Sequence, residues 1–212
     1  RKYLTWMSLL IAFLLILRTI KFVFLPNDHI TNRYAWYLYY FPQTFTVLLM
    51  FFTVLHIGRP HNRPINTKWK LLYLPATLLS LGILTNDLHQ LAFRFPDGVA
   101  NYDRNYIHGP LYYLSLVWVV GLFLVILVIA LTRCAISANK KNVWMPLVPL
   151  GFGLLYCILF LLNPDNLIQQ LFKSAEMICF VFPAFMEGLI LARLLPSNDS
   201  YAALWYACNL SC

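Results

Sequence analysis

The sequence predicts an all-α integral membrane protein, a bundle of six transmembrane helices, and three observations carry that prediction. Composition is the first: 60% of the 212 residues are hydrophobic and only 11% are charged. A soluble domain carries about 25% charged residues, because it must cover its surface with them. Second, apolar runs recur at the length a bilayer core requires, about 20 residues in helix. Third, the basic residues are divided unevenly between alternate loops, which is the mark of topology.

The six runs are Tyr3 to Leu25, Trp36 to Ile57, Leu71 to Leu91, Leu111 to Leu131, Val143 to Leu162 and Met177 to Leu195. None alternates strictly between apolar and polar positions, which rejects a β-barrel. Pro42, Pro75, Pro146, Pro149 and Pro183 lie inside the runs, and each predicts a kink.

Loop charge sets the orientation. One set of loops and ends holds Arg1, Lys2, Arg59, Arg63, Lys68, Lys70, Arg133, Lys140, Lys141 and Arg193; the other holds Arg33, Arg94, Arg104 and Lys173. Ten against four puts the first set inside, so both ends of the chain are expected in the cytoplasm of a multi-pass protein. Asp28, Asp97, Asp103 and Asp165 then all fall outside.

The net charge of +8 does not imply a nucleic-acid partner, because the bases punctuate apolar segments instead of sharing one solvated face. The partner implied is the lipid bilayer. Cys134, Cys157, Cys179, Cys208 and Cys212 include no CxxC pair, so neither a disulfide framework nor a metal site is expected, and no cofactor is implied. The first run is too long for a cleavable signal peptide and lacks a small-residue cleavage site. The chain opens on Arg1, and a longer parent protein is expected.

Ionisable groups inside a span are costly and each needs a reason. Arg18 and Lys21 share a helix face, about 22 and 27 Å along the first span at about 1.5 Å per residue. They either snorkel outward along their alkyl stems or hold an acid or an anionic ligand. The third run ends Leu84-Thr85-Asn86-Asp87-Leu88-His89-Gln90, at the same outer depth. Asn86, His89 and Gln90 share a face; Asp87 joins them only if the helix loosens there. Glu176 begins the sixth run at this level too. Arg18, Lys21, Asn86, Asp87, His89 and Glu176 are therefore candidates for an outward-facing polar pocket, the alternative being a capped helix terminus with mutual ion pairs. Glu187 lies eleven residues beyond Glu176, about 16 Å deeper, too far for a carboxylate dyad. It is protonated, hydrogen-bonded to a neighbouring helix, or coupled to movement of the sixth span.

Tyr34, Trp36, Tyr37, Tyr39 and Tyr40 crowd the outer end of span two, as an interfacial belt or as rings lining a site. The outer loop from Ala92 to His108 is longer than a connector needs and is a candidate lid. His108 reads as an interface histidine. After Pro196 the pattern turns partly polar, with Ser197, Asn198 and Asp199 suited to an N-cap. The expected division is thus a transmembrane bundle over 1–195 and the start of a cytoplasmic signalling helix or linker over 196–212.

Several stretches taken in order resemble the N-terminal seven-transmembrane sensor region of bacterial histidine kinases of the Firmicutes type. They are Arg18-Thr19-Ile20-Lys21, the Arg33-to-Pro42 stretch, Leu84-to-Gln90, Phe93-Arg94-Phe95-Pro96, His108-to-Tyr113 and Leu195-Pro196-Ser197-Asn198. The likeness implies a signal-input domain in a bacterial cell membrane, working as a homodimer. It implies relay through Glu187, Pro196, Ser197 and Asn198 to a cytoplasmic output region. No phospho-acceptor histidine or ATP-binding glycine loop occurs in the sequence, so the chain itself is not expected to be an enzyme.

Two other functions fit less well. A transporter or proton-coupled channel would use Glu187 and Asp87 as relay carboxylates, but the two halves show no inverted repeat. A lipid-acting enzyme with His89 and Asp87 as acid and base would lack a nucleophile or metal set.

Overall fold

The computed structural model describes residues 2–24, 30–56, 66–96, 98, 106–134, 144–162 and 174–191. These are helical throughout, apart from one short hairpin and its flanks. Helix α1 (Lys2–Thr19) is free of proline and glycine and ends in a π-helical turn, Ile20–Phe24. The Thr19 hydroxyl donates to the Leu15 carbonyl at 3.0 Å just before that turn, a back-bond that competes with the helical ladder. Helices α2 (Ile30–Leu38) and α3 (Tyr40–Leu55) form one nearly continuous rod interrupted at Tyr39. A 3₁₀ turn (Thr67–Leu72), capped by the Asn66 side chain on the Lys68 N–H, leads into α4 (Tyr73–Leu84). A one-turn helix α5 (Asn86–His89) follows, closed by Gln90 in the left-handed region at φ 49°.

Strands β1 (Phe93–Arg94) and β2 (Ile107–His108) pair antiparallel, Phe93 opposite His108. Then come α6 (Pro110–Cys134), α7 (Trp144–Leu162) and α8 (Ser174–Leu191). Among the described residues, three helical stretches are long and apolar enough to cross a membrane: Lys2–Phe24, Ile30–Leu55 and Pro110–Thr132. The stretches Trp144–Leu159 and Cys179–Ile190 are shorter apolar helices.

The third expected span departs most from its sequence reading. Leu71–Leu91 is not one helix: it begins in a 3₁₀ turn and breaks at Thr85, whose φ and ψ of −91° and 16° leave the helical region. The prolines depart too. Pro42, Pro75 and Pro146 each occupy the third residue of their helix (α3, α4 and α7). Pro75 and Pro146 thus open helices, where a backbone N–H has no intrahelical acceptor, whereas Pro42 has no N–H for the Leu38 carbonyl and the rod is interrupted beside it, at Tyr39. Only Pro149 and Pro183 lie in helix interiors.

Helix α3 is central. Residues Thr46 to Leu55 are all buried, and α1, α4 and α6 pack around it, with α7 and α8 paired beside α6. That pairing is close: a Cβ on Gly188 of α8 would lie 2.7 Å from the Pro146 backbone. The main core joins Met7, the α3 residues, Leu122, Phe123, Ile126 and Ala130, and the inner faces of α7 and α8. A second cluster (Tyr37, Ile83, Ala92, Phe93, Phe95 and Tyr112) sits under the hairpin. Leu78 and Leu81 of α4 and Leu114, Val117 and Val128 of α6 are exposed, a face suited to lipid.

Candidate functional site

The break at Thr85 is what assembles the site. Asn86 and Asp87 open the one-turn helix that follows it, and both side chains reach the Tyr37 hydroxyl of α2. Asp87 accepts a hydrogen bond from Arg33 Nη2 at 2.7 Å and another from the Tyr37 hydroxyl at 2.8 Å. Arg33 and Tyr37 are four apart, hence on one face of α2. The ion pair is largely withdrawn from solvent, with side-chain exposures of 9% for Arg33 and 18% for Asp87. Such a charge-assisted pair is strong when intact and costly to leave half-made.

Asn86 is fully buried and faces the hairpin. Its Nδ2 donates to the Phe93 carbonyl at 2.9 Å and to the Tyr37 oxygen at 3.3 Å. Its Oδ1 accepts the N–H groups of Ala92 and Phe93 at 2.8 and 3.0 Å. A single carboxamide therefore satisfies the backbone of the strand that begins the hairpin. The far end of the hairpin is pinned by Gly109, whose N–H donates to the Ala92 carbonyl at 2.8 Å. A Cβ there would lie 2.1 Å from the Leu91 oxygen, so the approach requires glycine.

Phe93, held this way, is the hub of an aromatic cluster. Ring centroids lie 4.4 Å away at Trp36, 5.6 Å at Tyr112 and 5.8 Å at both Tyr40 and Tyr106. Burial holds the His108 imidazole below its usual pKa of 6.5 and raises that of Tyr106. The low-dielectric setting disfavours the charged form of each.

Of the sequence candidates, Asn86 and Asp87 come together with Arg33 and Tyr37. Arg18 and Lys21 gather at an adjoining aromatic group. The Lys21 ammonium lies 5.4 Å from the Phe22 centroid, 5.6 Å from Trp36 and 5.7 Å from Tyr39, and the Arg18 guanidinium lies 5.5 Å from Phe22. Trp36 thus joins the two groups, with Lys21 beside it and Phe93 against it. His89 is exposed: its Nδ1 accepts the Leu91 N–H at 3.0 Å and its Nε2 lies 3.3 Å from Thr85 Oγ1. Glu176 falls in the first turn of α8, its side chain outside the described residues, as are Pro196, Ser197 and Asn198 entirely. Glu187 is exposed on α8, on the same side as Phe180, Pro183 and Ile190.

Sequence reasoning counted Arg33 and Tyr37 as a loop charge and a belt aromatic and missed them as partners of Asp87. Their four-residue spacing at the depth of Asp87 was the available signal. Chemically, the arrangement binds elements to one another. Both Asp87 oxygens are engaged, so the carboxylate acts as a fastening. No family model matches the chain, and neither a curated protein nor a solved structure matches it.

Proposed function

We propose that this chain is the signal-input domain of a bacterial membrane receptor, of the kind its resemblance to histidine-kinase sensor regions implies. In this reading six spans cross the plasma membrane, with both ends of the chain cytoplasmic and the parent protein a homodimer. The observation that supports it is the joint at Asp87. One carboxylate and the adjacent carboxamide fasten α2, the break after α4 and the outer hairpin at a single point. A stimulus that competes for Arg33 or displaces the hairpin biases a discrete rearrangement, and discrete alternatives are what a switch requires. The last helix, carrying Glu187, would take the change towards Pro196, Ser197 and Asn198.

Engagement of both Asp87 oxygens weighs against a transporter, whose relay carboxylate must exchange protons or ions. The test is Asp87→Ala in the full-length protein, with stimulus-dependent output as the readout. Loss or locking of the response supports the reading, and a wild-type response contradicts it. Solute flux through proteoliposomes that hold the purified protein would favour the transporter instead.

A further inference from the structure

Beneath the aromatic cluster, α3, α6, α7 and α8 leave a cavity of about 80 Å³ that is partly open to the surroundings. Since one water needs about 10–15 Å³, that is room for several waters or for the head and first carbons of a ligand whose remainder leaves by the open side. Native interiors seldom leave such a volume empty. Its walls are mixed: Leu116, Val119, Phe123 and Val181 are apolar, while Tyr40, Gln43, Thr44 and Ser115 bring polar atoms. The Thr44 hydroxyl is spent on the Tyr40 carbonyl, and the Ser115 hydroxyl on the Tyr112 carbonyl at 2.7 Å. Among the described residues, the Gln43 carboxamide and the Tyr40 hydroxyl have no hydrogen-bond partner. They are three apart on α3 and line the same cavity, so they converge on one region of it. No charged side chain lines the wall.

We infer that this cavity binds an uncharged, lipid-like molecule with a hydroxyl or carbonyl head. The head exchanges hydrogen bonds with Gln43 and Tyr40, and the apolar body lies along Val119, Phe123 and Val181. A charged head is excluded, because nothing in the wall compensates its desolvation. The inference is independent of signalling: the cavity binds such a molecule whatever the parent protein does with it. Tyr40 and Tyr112 touch both the cavity and Phe93, so an occupant also supports the ring cluster that the hairpin covers.

The test is photo-labelling of the purified chain in detergent with a diazirine-bearing monoacylglycerol, followed by peptide mapping. Labelling is expected on the cavity-facing residues of α6 and α7. Unlabelled monooleoylglycerol or a decyl-substituted benzoquinone should suppress it, and oleate at alkaline pH should not; these two competitors separate hydroxyl from quinone-carbonyl heads. Gln43→Leu should reduce labelling roughly three- to tenfold, the value of a lost hydrogen bond. Val119→Trp, which fills the space, should abolish it. Circular dichroism and the melting midpoint check that both variants fold, and Gln43→Leu keeps the test decisive if the bulkier one does not. Labelling confined to the outward Leu114, Val117 and Val128, insensitive to both variants, would overturn the inference. Equal competition by oleate would overturn it as well.

Discussion

Arg33 and Asp87 meet at 2.7 Å although 54 residues separate them in the chain, and their contact fixes α2 against the break that follows α4. Because the pair is shielded, removing one member strands the other. Asp87→Ala is expected to cost about 3–5 kcal/mol, read as a fall in the melting midpoint of the detergent-solubilised protein. A double-mutant cycle with Arg33→Ala should return a coupling of about 1–3 kcal/mol. Additive losses would mean that the pair is geometric only.

Asn86 is the anchor of the hairpin. Asn86→Ala deletes two acceptor contacts and two donor contacts at once, leaving buried backbone groups of Ala92 and Phe93 unsatisfied. Faster proteolysis within the loop 92–108 is expected, with cleavage elsewhere unchanged. Asn86→Asp should fare no better, since it loses the donor and sets a second carboxylate beside Asp87.

Gly109→Ala places a methyl group against the Leu91 carbonyl, a backbone atom that cannot swing away. The expected cost is about 1–3 kcal/mol, with a loosened start of α6. Gly121→Ala, where no atom lies within 4 Å of the new Cβ, is the control and should leave the melting midpoint unchanged or slightly raised.

His108 supplies a pH dependence. Burial lowers its folded-state pKa below 6.5, so the folded protein favours the neutral ring. As pH falls through about 6.5 the unfolded chain takes up a proton that the folded chain refuses, and stability declines. The decline ends once pH passes below the folded pKa. A melting midpoint that falls between about pH 7 and pH 5, and a shallower slope in His108→Phe, are the expected results.

Much of the helical architecture was legible in the sequence because length and apolarity alone decide it: the runs Tyr3–Leu25, Leu111–Leu131 and Val143–Leu162 match α1 with its π turn, α6 and α7 to within three residues. The third run misled because apolar composition continues through Thr85 while the backbone does not. Pro75 and Pro146 misled for a related reason, since composition does not say where a helix begins. At the site, Asn86 and Asp87 were legible as polar residues too deep to be idle. Their partners were not. Arg18, Lys21 and Arg33 lie at similar depth, and which of them faces Asp87 depends on helix rotation and neighbour order, which one sequence does not encode visibly. Phe93 was hidden among sixteen phenylalanines, and its role comes from a carboxamide seven residues earlier.

In the proposed signal-input reading, the Arg33–Asp87 contact is a switch point and more than a brace. The most direct measurement is stimulus-dependent output of the full-length protein carrying Arg33→Asp, Asp87→Arg, or both, at matched membrane abundance. Each single reversal should lock the output or abolish its response, and the double reversal, which restores an opposite-charge pair, should recover a response to stimulus. Single variants that respond like the wild type while remaining folded in the membrane would contradict the account.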